Sequence, residues 1–312
     1  MLTMNKLTII KQKGLISVQD LGRFHAQHLG FSASGVADEF AFLSGNKWLG
    51  NALNAAALEV TFGQITFTVD SPCQIIITGA DCQPKVNNVR VQHWQIINLS
   101  ANDHVELLAP KSGVYSYICI SGGIQTPLYF DSASELPKAL KLNKPNKEAT
   151  QYLFTCEQHI TAKPVPSTAI ASAINYYFQQ DKKSVHVIRF IPHHLWHELT
   201  TKAQQKISRQ VFQLQASSNK MGYRLKSNNP IDLASSQQLS KPVTLGAIQL
   251  PSDGQPIILM KDRQTIGGYP TLGCVIQVDI PRLAQLNAHQ NVKLLPITIE
   301  KAQAQLQAFY QK

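Results

Sequence analysis

The stretch that decides the fold is Asp253–Gly273, whose sequence is DGQPIILMKDRQTIGGYPTLG. Asp253 and Gly254 form a turn signal, and the apolar run that follows, Pro256–Met260, predicts a short buried strand. Polar and charged residues then come directly before the double glycine at positions 267 and 268. Because glycine lets a backbone approach a ligand closely, this combination favours a binding site over an ordinary surface loop.

Short apolar and β-branched runs of the same kind recur along the whole chain. Leu7–Lys11, Gln74–Thr78, Val114–Ile120 and Gly273–Asp279 are examples, and turn-forming residues lie between such runs. Runs of roughly 4–8 residues with this spacing are typical of β-barrels and β-sandwiches. The sequence therefore predicts a mainly β protein with a few short helices. The predicted helices are Asp38–Leu49, Pro192–Lys206, Pro281–Leu286 and Ile299–Phe309.

The length of the chain predicts about two domains, since 312 residues are too many for one small core and ~150 residues per domain is a common size. Signals for regular structure are weak in two stretches, Phe130–Thr150 and Thr161–Asp181. The second stretch suggests a junction around Thr161–Lys183. We therefore expect one domain over residues 1–170 and another over residues 171–312.

The composition excludes several classes of protein. The formal net charge is +10, yet the basic residues are scattered, so we expect a solvated basic surface and no nucleic-acid partner. The N-terminus lacks the apolar core of a signal peptide, and no apolar run reaches the ~18 residues of a membrane span. We therefore expect a cytoplasmic protein with no membrane partner. The five cysteines show no C-x-x-C spacing, so we expect no metal site and no disulfide framework.

A first candidate site lies between Gly14 and Gly35, with Asp38 just beyond it. Asp20 and Arg23 stand on either side of Gly22, and Ser34 begins a second polar loop. In the functional interpretation, glycine backbone N–H groups and Arg23 bind a carboxylate or phosphate. In the structural alternative, Asp20 and Arg23 pair with each other and brace the loop.

Glu59 poses a similar choice, because it lies inside an apolar strand pattern. A lone carboxylate in such a strand is either on the solvent face or buried and paired. The sequence leaves both interpretations open.

The second candidate site is the polar stretch quoted at the outset together with Gln249. Its candidate residues are Gln249, Asp262, Arg263, Gln264, Thr265, Gly267, Gly268 and Tyr269. Asp and Gln accept from N–H groups, while Arg and backbone N–H groups donate to C=O, so this set suits a small amide or ureido group. The structural alternative is a polar loop that closes the end of a β-barrel. The chain contains neither a Walker-type glycine loop nor a G-x-S-x-G elbow.

Several motifs together resemble those of one known family. They are DLGR (Asp20–Arg23), SASGVAD (Ser32–Asp38), LEV (Leu58–Val60), NKMGYRL (Asn219–Leu225), the long block Leu245–Pro270, and DIPRLAQL (Asp279–Leu286). The chain resembles the biotin-dependent carboxyltransferase family, also called allophanate hydrolase subunit 2, from about Leu7 to about Leu295. Members of this family include the C subunit of 5-oxoprolinase, KipA-type proteins and part of the carboxyltransferase domain of urea carboxylase.

The resemblance implies two cyclophilin-like β-barrel domains. It also implies a role as the C subunit of an ATP-dependent 5-oxoprolinase, whose other two subunits are a KipI-like protein and a lactam-utilisation-like protein. That complex opens 5-oxoproline to glutamate and uses ATP as a cofactor of the whole complex. The resemblance further implies that this chain is inactive without those partners.

In this interpretation the candidate residues divide into two roles. Asp262, Arg263 and Tyr269 are the expected catalytic residues, with Asp262 transferring a proton or orienting the amide. The expected substrate-binding residues are Gln249, Gln264, Thr265, Gly267, Gly268, Asp20, Arg23, Ser34 and Asp38.

Two alternatives come with the same resemblance. One is a carboxyltransferase component that uses biotin and acts on urea or a similar amide. The other is a non-catalytic, KipA-like regulatory binding protein. The family usually shows a Ser-Arg-Ser-Thr-like piece and a glycine-rich stretch where this chain has Asp131–Thr150, and this departure keeps the regulatory alternative open.

Overall fold

A computed structural model describes residues 4–135, 150–155, 165–178, 185–232 and 239–310. The chain divides into two compact units. The first unit consists of Met1–Arg23 and Ser34–Tyr176, and the second consists of Phe24–Ala33 and Tyr177–Lys312. Strands dominate both units, so the prediction of a mainly β protein is confirmed.

The strands of the first unit form two antiparallel sheets. A seven-stranded sheet has the order β11-β12-β1-β4-β9-β6-β7, and a five-stranded sheet has the order β2-β3-β10-β5-β8. One hydrophobic core, which includes Leu7, Phe67, Ile77 and Ile118, contains buried residues from both sheets. The strands are β1 (Met4–Gln12), β2 (Leu15–Gln19), β3 (Ala57–Thr61), β4 (Ile65–Val69), β5 (Cys73–Gly79), β6 (Lys85–Val86), β7 (Val89–Arg90), β8 (Ile96–Leu99), β9 (His104–Leu107), β10 (Tyr115–Ile120), β11 (Ile124–Gln125) and β12 (Gln151–Thr155).

Helix α1 (Glu39–Leu49) packs on the five-stranded sheet against β5 and β10. Asp38 caps its start, because one carboxylate oxygen accepts from the Ala41 backbone N–H at 3.0 Å. A Cβ at Gly45 would lie 2.7 Å from the Cys119 sulfur, so this glycine lets the helix approach the sheet closely. The predicted helix Asp38–Leu49 is confirmed.

Helix α2 (Ser167–Phe178) occupies the stretch that the sequence marked as weakly structured. Its sequence, STAIASAINYYF, combines alanines with serines and β-branched residues, which give a mixed helix propensity. The carbonyl of Pro166 accepts from the Ala169 and Ile170 N–H groups and forms the first turn. The aromatic rings of Tyr176 and Phe40 lie 4.7 Å apart, which attaches the helix to α1. Tertiary packing therefore supports a helix whose local signals are weak.

A closed barrel of seven strands forms the centre of the second unit, in the order β13-β20-β17-β18-β15-β14-β21. All its pairings are antiparallel except that of β13 with β21. Tyr223, Leu225, Ile248 and Ile258 are buried within it. Its strands are β13 (His186–Pro192), β14 (Phe212–Leu214), β15 (Gly222–Lys226), β17 (Ala247–Gln249), β18 (Ile257–Leu259), β20 (Thr271–Val275) and β21 (Asn291–Pro296), while β16 (Lys241–Pro242) and β19 (Ile266–Gly267) form a separate pair.

The helices of the second unit differ from the prediction in one place. The single predicted helix Pro192–Lys206 is wrong, because α3 (His194–Glu198) and α4 (Thr201–Arg209) are separate helices. Thr200 has an extended backbone and its hydroxyl accepts from the Ala203 N–H at 3.2 Å, so it caps a new helix. Helices α5 (Ile280–Ala284) and α6 (Ile299–Tyr310) lie where helices were predicted. None of the described helices is long and apolar enough to cross a membrane.

Glu59 is buried and paired, which resolves the choice that the sequence left open. One of its carboxylate oxygens accepts from the Ala37 N–H and from the Tyr117 hydroxyl, each at 2.8 Å. The Tyr117 oxygen in turn accepts from the Asp38 N–H at 2.8 Å. Burial first, and then the Glu59 carboxylate, raise the pKa of Tyr117 well above its ordinary value, so the hydroxyl stays protonated and donates. These bonds join β3 and β10 to the start of α1.

We expect Tyr117→Phe to lower the free energy of unfolding by about 1–3 kcal/mol, since it removes the oxygen that accepts from the buried Asp38 N–H and one of the donors to the Glu59 carboxylate. Denaturant unfolding measures the change. Tyr269→Phe is the control, because Tyr269 is about half exposed, and we expect its effect to stay within roughly 0.5 kcal/mol. Equal stability of the Tyr117→Phe variant and the unmodified protein would contradict the assigned role.

Candidate functional site

Asp20, in the first unit, is buried and its carboxylate is surrounded by donors. One oxygen accepts from the Gly22 N–H at 2.8 Å, the Ser132 hydroxyl at 2.7 Å and the Ser134 hydroxyl at 2.6 Å. The other oxygen accepts from the Ala133 N–H at 2.7 Å. Such a set of donors is what a buried carboxylate requires to offset its lost hydration. The Asp20 carboxylate is therefore fully engaged within the first unit.

Arg23 holds the same segment as Asp20. Its side chain is buried, and its guanidinium donates to the backbone carbonyl of Ser134. Glu135 also binds β2. Its backbone N–H donates to the Val18 carbonyl, and its carboxylate accepts from the Val18 N–H, each at 3.0 Å. Asp20 and Arg23 thus bind the start of the divergent Asp131–Thr150 segment. Residues 136–149 of that segment lie outside the described residues.

Ser34 and Asp38 are also fully buried. Ser34 has a backbone φ of 52°, and Gly35 beside it has a φ of 92°. A Cβ at Gly35 would lie 2.6 Å from the Leu21 carbonyl oxygen, so the turn packs directly on the DLGR backbone. Asp38 is the cap of α1. The four candidate residues of the first unit therefore lie together in a buried polar frame, and their role in binding a substrate stays a prediction.

The second unit carries a cleft of about 630 Å³ that is lined by residues of β15, β17 and β18 and by the loops beside them. The candidate residues Gln249, Gln264 and Tyr269 line it. Its floor is formed by strand residues that include Ile257 and Leu259, and the turn at Pro251–Pro256 lines one wall. Most of the residues that line the cleft are polar or charged, so it surrounds a small apolar floor with hydrogen-bonding groups.

The other candidates of the second unit are not part of the cleft lining. Asp262 donates its backbone N–H to the Lys220 carbonyl at 2.7 Å. Arg263 is nearly buried, and its guanidinium donates to the Val243 and Met260 carbonyls, each at 3.4 Å. Burial lowers the pKa of the Arg263 guanidinium. These contacts give Arg263 a part in fixing the loop, and its predicted catalytic role stays untested.

Thr265, Gly267 and Gly268 belong to the chain around the small β16–β19 pair. The Thr265 carbonyl accepts from the Val243 N–H at 3.1 Å, and Gly267 is paired with Lys241. Their contact with a substrate is a prediction as well.

Gln249 is the most informative residue of the cleft. Its side chain is 1% exposed, and within the described part of the chain its Nε2 has no hydrogen-bond partner. A buried donor left without a partner costs about 1–3 kcal/mol, so native proteins rarely contain one outside sites that bind a ligand or water. Gln249 Nε2 is therefore a buried donor that lies beneath Gly267 at the edge of the cleft, without a partner among the described residues.

Gly267 makes room for this amide. A Cβ at position 267 would lie 2.6 Å from Gln249 Nε2, 3.2 Å from a methyl carbon of Val243 and 3.5 Å from Gln264 Nε2. The backbone φ of Gly267 is not positive, so space rather than backbone strain is the reason for glycine here. Gly267, the first residue of the double glycine, therefore leaves the space that the Gln249 amide occupies.

Three other carboxamides of the cleft, those of Gln215, Asn219 and Gln255, make hydrogen bonds within the protein itself. Gln255 both donates to and accepts from the backbone of Ser227, at 3.0 and 2.9 Å. Asn219 accepts from the Met221 N–H at 2.8 Å, and Gln215 donates to the Gln213 carbonyl at 3.2 Å. These residues build the walls, and this sets them apart from Gln249.

Sequence reasoning missed two cationic residues of the cleft, Arg224 and Lys226. They alternate along β15 with buried Tyr223 and Leu225. That alternation was visible in the sequence as the pattern GYRLK, and it places both cations on the outer face. With Asp253 as the one acidic residue of the lining, the cleft has an excess of positive charge and suits an anionic group. In the described ranges, no group of three or more His, Cys, Asp or Glu side chains is placed to hold a metal ion.

We expect Asp20→Asn to lower the free energy of unfolding by roughly 2–3 kcal/mol, because an amide cannot accept from all the donors around Asp20. Denaturant unfolding is the measurement, and Asp131→Asn is the matched control. Asp131 is the exposed first residue of the same segment, so we expect its change to stay within about 0.5 kcal/mol. If both variants lose the same stability, Asp20 does not anchor the segment.

Gly267→Ala should cost about 1–2 kcal/mol of stability, because the new methyl group overlaps the Gln249 amide. In a Gln249→Ala background the same change should cost less, since the overlapping atom is gone. A double-mutant cycle by denaturant unfolding measures this coupling, which we expect to reach at least ~0.5 kcal/mol. Purely additive effects would show that the two residues do not share this space.

Comparison with known proteins now identifies the family. A family model described as the carboxyltransferase domain, subdomain A and B, matches residues 29–296. The chain is 31% identical to the C subunit of 5-oxoprolinase from Escherichia coli over 296 residues, which cover 95% of this chain and 93% of that protein. The corresponding protein of Haemophilus influenzae is 30% identical over 298 residues, with the same coverage of both chains.

A solved structure shows the same fold. The urea carboxylase of Kluyveromyces lactis superposes with a TM-score of 0.84 at 18% identity, over 98% of this chain and 28% of that one. At this level of identity the likeness concerns the fold alone. The resemblance seen in the sequence motifs is confirmed, and the chain belongs to the carboxyltransferase domain family, subdomains A and B.

Proposed function

We propose that this chain is the C subunit of an ATP-dependent 5-oxoprolinase. The observation that carries the proposal is the nearly end-to-end match with two proteins of that name, since 93% of each is covered at about 30% identity. The match with urea carboxylase is different in kind, because this chain corresponds to only 28% of that protein. The match with nearly the full length of the C subunits therefore supports the C-subunit role over that of a domain in a larger enzyme.

The reaction that we propose for the complex is the opening of 5-oxoproline to glutamate. ATP would supply the phosphoryl group that activates the lactam oxygen, with ADP as the other product. Water would then add to the activated carbonyl carbon, the ring C–N bond would break and phosphate would leave. The nitrogen takes a proton and becomes the amino group of glutamate. A donor to the lactam oxygen helps to hold the substrate for this chemistry, and the exposed Gln264 amide of the cleft is a candidate to supply it.

The partners belong to the proposal as well. A KipI-like protein and a lactam-utilisation-like protein would act with this chain in the cytoplasm, and ATP is assigned to the complex as a whole. Asp262 is the proposed proton-transfer or orienting group, and Arg263, Tyr269 and Gln264 complete the proposed second-unit site.

The second candidate function is that of a carboxyltransferase component. The description of the matching family model favours it. The ureido group of biotin contains the same N–C=O unit as a lactam, so the candidate residues of the second unit suit either group. Biotin would supply the carboxyl group that is transferred. Biotin-dependent carboxylation of urea or of a similar amide would support this alternative.

The test is reconstitution of the complex. We expect glutamate to be released from 5-oxoproline only when this chain, the two partner proteins of the same organism and ATP are all present. Liquid chromatography of the products measures glutamate. A stable complex that hydrolyses no 5-oxoproline would overturn the proposal and leave the carboxyltransferase and regulatory alternatives.

Within the active complex, Asp262→Asn should lower the rate of glutamate release at least ~100-fold, the low end of what a general acid or base contributes. The variant should assemble with its partners as the unmodified chain does, which size-exclusion chromatography checks. Asp232→Asn is the matched control, because Asp232 is exposed and lies outside the cleft lining. Unchanged turnover by the Asp262→Asn complex would remove Asp262 from the mechanism.

A further inference from the structure

Helix α4 carries three exposed cations on one face. Lys202, Lys206 and Arg209 follow one another at spacings of four and three residues, which places their side chains in a single stripe along the helix. This cationic stripe is roughly 10 Å long, because each residue of a helix adds about 1.5 Å. Ile207, the buried residue of the helix, lies on the other side, and α4 packs against β21. The cationic stripe therefore faces solvent.

The stripe is unfavourable for the helix that carries it. The first turn of α4 contains no acidic residue, and Lys202 lies there instead. A cation in the first turn opposes the helix dipole, and Lys202 also repels Lys206 four residues later. The dipole favours only Lys206 and Arg209, which lie in the last turn. The stability of the helix therefore does not account for the whole stripe.

The charge of the stripe is not neutralised by the described part of the chain. None of its three side chains forms an ion pair with an acidic residue of the described ranges. Glu198 of α3, the acidic residue just before α4, lies 3.1 Å from the His194 imidazole instead. A local choice of residues that opposes its own helix and has no internal compensation is typical of a functional surface.

Hydrogen bonds hold this helix in place on the second unit. Gln204 Nε2 donates to the Trp196 carbonyl at 2.7 Å, and Gln210 Nε2, directly after the last turn, donates to the Asn229 carbonyl at 2.7 Å. Asn229 lies three residues beyond Lys226, which lines the cleft. The C-terminal end of the stripe is therefore close to the loop that follows β15, and a protein bound to the stripe would lie near one wall of the cleft.

We infer that the cationic stripe of α4 is a docking surface for an acidic surface of a partner protein. Carboxylates of the partner pair with the three cations and offset the repulsion within the helix. The inference rests on the proposed function for the choice of partner, which is a subunit of the proposed complex. Exposed charges at an interface act mainly on the rate of association. Helix α4 contains no aromatic residue on which a base could stack, which favours a protein over a nucleic acid.

The test compares two variants of the whole chain that lose the same charge. The stripe variant carries Lys202→Gln, Lys206→Gln and Arg209→Gln. The control variant removes three exposed lysines of the first unit, through Lys11→Gln, Lys13→Gln and Lys111→Gln. Any difference between the two variants therefore reports the position of the lost charges and not their number.

Surface plasmon resonance measures association with the KipI-like protein and with the lactam-utilisation-like protein, each immobilised separately. At ~0.1 M salt, we expect the stripe variant to associate with one of them at least ~10-fold more slowly than the control variant does. At ~1 M salt the difference should shrink to within about 2-fold, because the Debye length falls from about 10 Å to about 3 Å. Equal association rates of the two variants at ~0.1 M salt would overturn the inference.

Two further measurements exclude other roles of the stripe. Lys202→Gln alone should unfold at the same or a higher denaturant concentration than the unmodified chain, because it removes the cation from the first turn. A clear loss of stability would show that the helix itself requires this cation and would overturn the inference. A short DNA duplex is the second probe. If the stripe variant loses binding to DNA and associates with both partner proteins normally, the stripe is a nucleic-acid surface and the inference is wrong.

The outcomes distinguish this inference from the proposed function. If the stripe and control variants associate at equal rates while the unmodified complex releases glutamate, the inference is overturned and the proposed function stands. If the stripe variant associates slowly but the unmodified complex releases no glutamate, the docking surface stands and the proposed function falls. If neither partner protein binds the unmodified chain, both are overturned.

Discussion

The pairing of β18 with β15 and β17 is the constraint on which the cleft depends. Side chains alternate along each strand, so a shift of one residue would turn Arg224 inward and bring Tyr223 to the surface. The closed barrel prevents such a shift, because every strand is paired on both sides. The positions of Gln249 and Arg224 on the two strands beside β18 are therefore fixed by backbone hydrogen bonds rather than by contacts between their side chains.

The first unit shows the opposite use of polar residues. Asp20, Asp38 and Glu59 are buried carboxylates, and each accepts hydrogen bonds that hold a loop, a helix start or a strand in place. Burying a charge costs several kcal/mol unless such bonds replace its hydration. In the sequence, such carboxylates look like ligand-binding residues. In the structure, their hydrogen bonds come from other groups of the protein. The Gln249 amide differs, because no described residue accepts from it.

Local patterns predicted much of the fold. Apolar runs bounded by turn residues predicted strands such as β5 and β10, and Asp38 predicted the start of α1. The patterns failed where distant contacts decided the outcome. Helix α2 has weak local signals and packs through Tyr176 on Phe40, and Thr200 begins a new helix where the apolar spacing predicted a continuous one.

The sequence by itself determined the fold class, the family and the region of the candidate site, because strand periodicity, turn residues and family motifs are all local properties. It also selected Gln249, Gln264 and Tyr269, which the cleft brings together. Only the tertiary structure showed that Asp20 and Arg23 bind the segment that begins at Ser132, more than a hundred residues further along the chain. It alone placed Arg224 beside the site as well. Hydrogen-bond partners and strand register depend on which distant segments meet, and no local pattern records that.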